Sequence, residues 1–172
     1  SQRPSYLVGV PFFTGYSGGD FQDKKYFVVE ADEYGVNPPI DKTPKFHLLN
    51  PNYIIATNID FDHPDVYKDI EETKKAFIKF FGNKKVIANI DDKNLLQCID
   101  TSKAITFGES EKAKYQITNI KINENESIFE IKNVGKFRIS LFGKHNISNA
   151  TAVIVQLLEL GFKANQIKES LV

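Results

Sequence analysis

A single cysteine, Cys98, among 172 residues excludes an internal disulfide framework and suits a reducing cytosol. Standing alone, it reads as a small apolar filler near a helix end. An excess of charge of either sign is also missing, because 22 basic and 22 acidic side chains cancel. No global field therefore recruits nucleic acid or an acidic membrane surface. No run approaches the ~20 apolar residues of a membrane span, and the polar start Ser1-Gln2-Arg3-Pro4 has nothing of a signal peptide. The expectation is a soluble, cytoplasmic protein with neither nucleic acid nor membrane as partner. Internal repeats, low-complexity tracts and flexible linkers are absent as well. No Ser, His and Asp set and no Cys and His pair suggests a covalent nucleophile. Gly15, Gly18 and Gly19 make a glycine-rich turn, but no Lys-Ser or Lys-Thr follows, so a lid or hairpin fits better than a phosphate loop.

What is present is enough apolar matter for one domain: hydrophobic residues make up 41% of the chain and 14 of them are Phe, which fills a sizeable core. The first half alternates short apolar runs with helical patterns. Residues 26–29, 53–57, 85–89 and 104–107 read as strands buried on both faces, with helices over 70–81 and 92–99 between the last three. This order predicts a mostly parallel, open α/β sheet flanked by helices, with ligands beyond the carboxyl ends of its strands. From Tyr115 the period changes to two, broken at Asn123-Glu124-Asn125-Glu126 and Asn133-Val134-Gly135, which predicts a small antiparallel meander appended to that sheet. Helices over 146–160, ending at Gly161, and 164–171 close the chain. Residues 35–52, with Pro38, Pro39 and Pro44, form the longest irregular stretch.

Three constellations lie beside these elements. Glu30-Ala31-Asp32-Glu33-Tyr34 follows the strand 26–29, and three carboxylates so close repel one another unless a cation sits among them. Magnesium, which takes oxygen ligands and keeps several waters, suits such a cluster; a solvated acidic turn also accounts for it. Thr57-Asn58-Ile59-Asp60-Phe61-Asp62-His63-Pro64-Asp65 follows the strand 53–57. Its imidazole and carboxylates can complete a metal shell or hold the metal's waters, or can be no more than a hydrogen-bonded loop. If the two preceding strands are adjacent, Glu30 and His63 face each other at one rim of a shared sheet. Phe142-Gly143-Lys144-His145-Asn146-Ile147-Ser148-Asn149-Ala150 opens a helix. There Asn146 and Asn149 share a face and can pair with a purine edge or, equally, cap the helix.

In order and spacing, E-A-D-E-Y, T-N-I-D-F-D-H-P-D-V-Y and F-G-K-H-N-I-S-N-A resemble the motifs of the muramyl (Mur) ligases of bacterial cell-wall synthesis. The likeness covers nearly the whole chain and is strongest to the branch that begins from UDP-N-acetylmuramate, whose members add L-alanine or recycle murein peptides. A folylpolyglutamate synthase relative would carry a different acidic motif. The resemblance implies the central, ATP-handling domain of a ligase in which ATP phosphorylates the muramyl carboxylate and an amine attacks the acyl phosphate. It implies ATP and Mg2+ as cofactors, Glu30 and His63 as catalytic metal ligands or holders of the metal's waters, and Asp62 and Asp65 as supports for the imidazole. His145, Asn146 and Asn149 would line the adenine pocket. Phe77 takes the place where several relatives carry a carbamylated lysine. The family's phosphate loop has no counterpart in residues 1–172, nor do the N-terminal UDP-binding and C-terminal amino-acid-binding domains. The chain is therefore expected to be a truncated central domain, inactive alone and completed by those domains acting on UDP-N-acetylmuramate and L-alanine. A noncatalytic α/β binding module is the rival reading.

Overall fold

The computed structural model describes residues 3–171. They form two compact units that divide between Asn50 and Pro51.

In the first unit, β1 (Ser5–Phe13) and β2 (Tyr16–Asp20) pair antiparallel, and β3 (Phe27–Val29) lies parallel on the other side of β1. The hairpin turns at Thr14 and Gly15 with φ of 47° and 84°. Two successive positive φ values match the right-handed twist of paired strands, and Gly15 supplies one of them without steric cost. Gly18 is required for another reason: a Cβ there would run into the Val10 carbonyl. The glycine-rich stretch is thus a hairpin.

Residues 35–52 are more regular than their prolines suggest. β4 (Gly35–Asn37) and β5 (Asp41–Pro44) form a small antiparallel pair followed by a 3-10 turn, Lys45–Leu48. Pro38 and Pro39 occupy the connection and Pro44 is the last residue of its strand, positions where no ladder N–H is demanded.

The second unit carries a six-stranded sheet in the order β11-β10-β9-β8-β7-β6. Its parallel half is β6 (Tyr53–Ala56), α1 (Ile70–Phe81), β7 (Lys85–Asn89), α2 (Lys93–Leu96) and β8 (Ile105–Gly108). The strand and helix alternation expected from periodicity is what forms. Helix α1 starts where Asp69 accepts the Glu72 N–H at 2.9 Å, while the Glu72 carboxylate reaches back to the Lys68 N–H at 2.6 Å. The first bond satisfies a donor left over in the first turn, and the second holds the backbone just before the cap. It stops at Gly82, φ 46°. Helix α2 is shorter than expected and ends before Cys98, which is buried and directs its thiol to the Asn94 carbonyl. Burial pushes that thiol's pKa up, the behaviour of an inert filler.

The meander, β9 (Tyr115–Ile122), β10 (Ser127–Ile131) and β11 (Gly135–Ile139), continues the same sheet through a parallel contact of β8 with β9. Against it pack α3 (Lys144–Glu159) and α4 (Ala164–Ser170). Phe107, Phe129, Phe137, Ile147, Ile154 and Val155 are almost wholly buried between sheet and helices, each contributing about 1.5–3 kcal/mol relative to exposure. Helix α3 ends in a Schellman turn. Gly161, φ 90°, donates to the Leu158 carbonyl at 2.9 Å, and Phe162 donates to that of Leu157 at 3.0 Å.

Two expectations need correction. Strand β3 is not buried on both faces, since Phe27 and Val28 are 62% and 59% exposed. Nor are the strands preceding Glu30 and His63 neighbours in one sheet: β3 pairs with β1, and β6 pairs with β7. Apolar runs announce strands, but they do not say which strands pair.

Candidate functional site

Strands β6, β7 and β8 run parallel, so their carboxyl ends share one rim of the larger sheet, where open α/β sheets bind ligands. A cavity of about 340 Å³ lies there. Thr57 and Asn58, just after β6, line one side; Asn89 and Asp91, at the end of β7, and Glu109, just after β8, line the next. The opening turns of α3 close it with Lys144, His145, Ser148 and Asn149, and Ile117, Ile120 and Ile147 provide an apolar surface.

Hydrogen bonds tie these walls together. The Asn89 amide donates to the Ser148 hydroxyl at 3.4 Å, linking β7 to α3. Asp91 accepts the backbone N–H groups of Glu109 at 2.5 Å and Ser110 at 3.0 Å, which pins the loop after β8 to the loop after β7. The Glu109 carboxylate receives the Lys144 ammonium at 2.8 and 3.1 Å, returning to α3. Gly143, with φ 100°, precedes that helix, and a Cβ on it would meet the His145 ring at 3.0 Å. Glycine there lets the imidazole lie over the helix start. Amides, hydroxyls and carboxylates beside isoleucines form a pocket able to hold a flat ring with polar edges.

The third sequence motif therefore divides. His145 and Asn149 line the cavity. Asn146 does not: its amide donates to the Phe142 carbonyl at 2.8 Å and anchors the beginning of α3. Sequence reasoning missed Asn89, Asp91 and Glu109, whose only signal is that each stands at or just after the end of a parallel strand.

The second motif also divides. Thr57 and Asn58 reach the cavity, whereas His63 lies farther along the loop with φ 57°, a left-handed conformation uncommon for a non-glycine residue. Asp62 accepts the His63 backbone N–H at 2.7 Å, but its carboxylate comes no nearer than 4.0 Å to the ring Nδ1. It steadies the backbone and makes no hydrogen bond to the imidazole. The His63 carbonyl accepts from Val66 and Tyr67 at 2.8 and 3.0 Å.

In the first unit, the acidic motif is resolved into separate roles. Asp32 accepts the Tyr34 N–H at 2.9 Å and the Lys45 ammonium at 2.8 Å, so a lysine supplies the cation that this carboxylate needs. Glu30 accepts the Gly9 N–H at 2.6 Å. Among the described residues no three His, Cys, Asp or Glu side chains converge as a metal-holding group. Magnesium does not require one, since it is commonly bound through one or two carboxylates plus phosphate oxygens and water. By donor type Glu30 fits as a direct ligand, and the His63 nitrogen fits better through a metal-bound water.

The Mur ligase middle domain family matches residues 19–157. A UDP-N-acetylmuramate–L-alanine ligase of Lactiplantibacillus plantarum is 39% identical over 157 residues, which is 87% of this chain and 33% of the relative. The chain thus spans about a third of the length of such relatives. Among solved structures, a UDP-N-acetylmuramate:L-alanyl-gamma-D-glutamyl-meso-diaminopimelate ligase from Neisseria meningitides superposes with a TM-score of 0.78 at 24% identity, covering 98% of this chain and 56% of that one. A MurF ligase from Thermotoga maritima in complex with ADP gives 0.64 at 16% identity, covering 92% and 40%. These two likenesses concern the fold. No helix among the described residues is long and apolar enough to cross a membrane. With a family match that takes in the cavity-lining residues from Thr57 to Asn149 and most of the sequence around them, the chain belongs to the Mur ligase family, through its middle domain.

Proposed function

We propose that this chain is the nucleotide-handling part of an ATP-dependent ligase that joins L-alanine to UDP-N-acetylmuramate through an acyl phosphate. The observation that carries the reading is the convergence of the second and third motifs on one cavity at the carboxyl ends of β6, β7 and β8. Adenine is its proposed occupant, with Asn149 and His145 at the polar edge and Asn146 holding the helix that presents them. Glu30 is the proposed magnesium ligand, and His63 holds the metal's water or a phosphate oxygen; the order and spacing of the motifs support these roles. Bound magnesium would neutralise charge that develops on the transferred phosphoryl group. The identity to L-alanine-adding ligases, between 33% and 39%, supports that substrate pair over a murein peptide.

Relatives three times as long supply the remaining parts, and we place the phosphate loop, the UDP-binding domain and the amino-acid-binding domain there. The isolated chain is therefore proposed to be inactive. Phosphate release from ATP with UDP-N-acetylmuramate and L-alanine tests this: turnover above a His63→Ala control contradicts it. The substrate assignment is tested by mass spectrometry of products formed by a ligase containing this chain with its flanking domains. UDP-N-acetylmuramoyl-L-alanine is expected. Product with an L-alanyl peptide and none with L-alanine would replace the reading by the recycling activity, and product with neither overturns it.

A further inference from the structure

The loop that bears both Asn58 and His63 is gripped between them, directly after Asn58. At Ile59, which is 2% exposed, the backbone N–H donates to the Asp92 carboxylate at 3.3 Å and the backbone carbonyl accepts from the Asn94 amide at 2.9 Å. The same Asp92 oxygen accepts the Leu95 N–H at 2.7 Å as the N-cap of α2. Helix α2 is only four residues long, and the side chains of its N-cap Asp92 and of its Asn94 both reach a loop more than thirty residues upstream. Holding both the N–H and the C=O of one residue fixes its orientation as well as its position, because each bond is directional.

We propose that Asp92 and Asn94 are positioning residues that lock Ile59 and so set where Asn58 and His63 stand relative to each other. The inference rests on the nucleotide roles proposed for Asn58's cavity and for His63. Neither Asp92 nor Asn94 touches the cavity; both act through Ile59. The grip separates the end of the loop that meets the base from the end that meets phosphate and metal, so its loss uncouples the two ends.

The test is nuclear magnetic resonance of the labelled 172-residue chain, alone and with magnesium and ADP. Asn94→Ala leaves the N-cap of α2 in place. It is expected to speed amide exchange at Ile59 about tenfold and to shift the Asn58 and His63 resonances. With magnesium-ADP it should keep the response at Asn149 while losing the one at His63. Asp92→Asn, which retains the accepting oxygen, should resemble the parent, and Asp92→Ala should show the Asn94→Ala signature together with faster exchange at the Leu95 amide, whose N-cap acceptor it also removes. Should Asn94→Ala fail to fold, Asn94→Asp preserves the shape and turns an oxygen toward the Ile59 carbonyl, with the same expected signature. Parent-like Ile59 exchange, or an unchanged ratio of His63 to Asn149 response, overturns the inference. If magnesium-ADP moves no resonance of the parent chain, the nucleotide reading fails separately. The Asn58 and His63 shifts of the unliganded variants then decide: movement supports the grip, and none overturns it.

Discussion

Asp91 and Gly108 compete for the same space. A Cβ on Gly108 would lie 2.7 Å from the Asp91 carboxylate, and the glycine holds φ of 150°. The vacancy is what allows Asp91 to reach the Glu109 and Ser110 N–H groups and close one wall of the cavity. Gly108→Ala is expected to lower stability by about 1–3 kcal/mol, seen as a lower midpoint in urea unfolding. A midpoint equal to the parent's would show that the wall does not depend on this contact.

The division of the two asparagines at the start of α3 makes opposite predictions for adjacent turns. Asn146→Ala removes the bond to the Phe142 carbonyl, so it should cost about 1 kcal/mol of stability and leave ADP affinity within about twofold. Asn149→Ala, in the cavity wall, should weaken ADP binding about tenfold with little change in the thermal midpoint. Calorimetric titration and thermal melts of both variants separate the two roles.

At the far end of α3, Glu159 accepts bonds from the Lys114 ammonium and the Tyr115 hydroxyl, each at 2.8 Å. Lys114 is the larger cause of a Glu159 pKa held below its ordinary 4.5. A carboxylate with a folded-state pKa lower than its unfolded one stabilises the fold above the unfolded value and loses that contribution as pH falls through the lowered value. The same reasoning inverts for Lys114 and Tyr115. Both are raised, Lys114 chiefly by its bond to Glu159 and Tyr115 chiefly by burial, so their share is lost as pH rises through those raised values. Glu159→Gln should therefore flatten the fall in melting temperature below about pH 4.5. An acid limb identical to the parent's would contradict the assignment.

Much of the second unit was readable from periodicity. Helix α1 repeats its phenylalanines at helical spacing and carries Asp69 and Gly82 at its ends, and β9 to β11 alternate between turns rich in Asn, Glu and Gly. In the first unit the strand 26–29 and the glycine-rich hairpin were readable but their pairing was not, because the sheet joins β1 to β3 in parallel across an intervening hairpin, and no local period encodes such a pairing. Pro38, Pro39 and Pro44 concealed the β4–β5 pair, since a proline that forbids a strand interior looks the same in sequence as one that ends it. The motifs led to Thr57, Asn58, His145 and Asn149. Asn89, Asp91 and Glu109 stand in ordinary polar sequence, and their meaning comes only from the alignment of three strand ends.

That alignment makes the cavity the place to look for the base. In a nuclear Overhauser experiment on the labelled chain with magnesium-ADP, the adenine protons should show contacts to His145, to the Asn149 amide and to the Ile120 and Ile147 methyl groups. Contacts from adenine to another surface, with none to these four residues, would contradict the account.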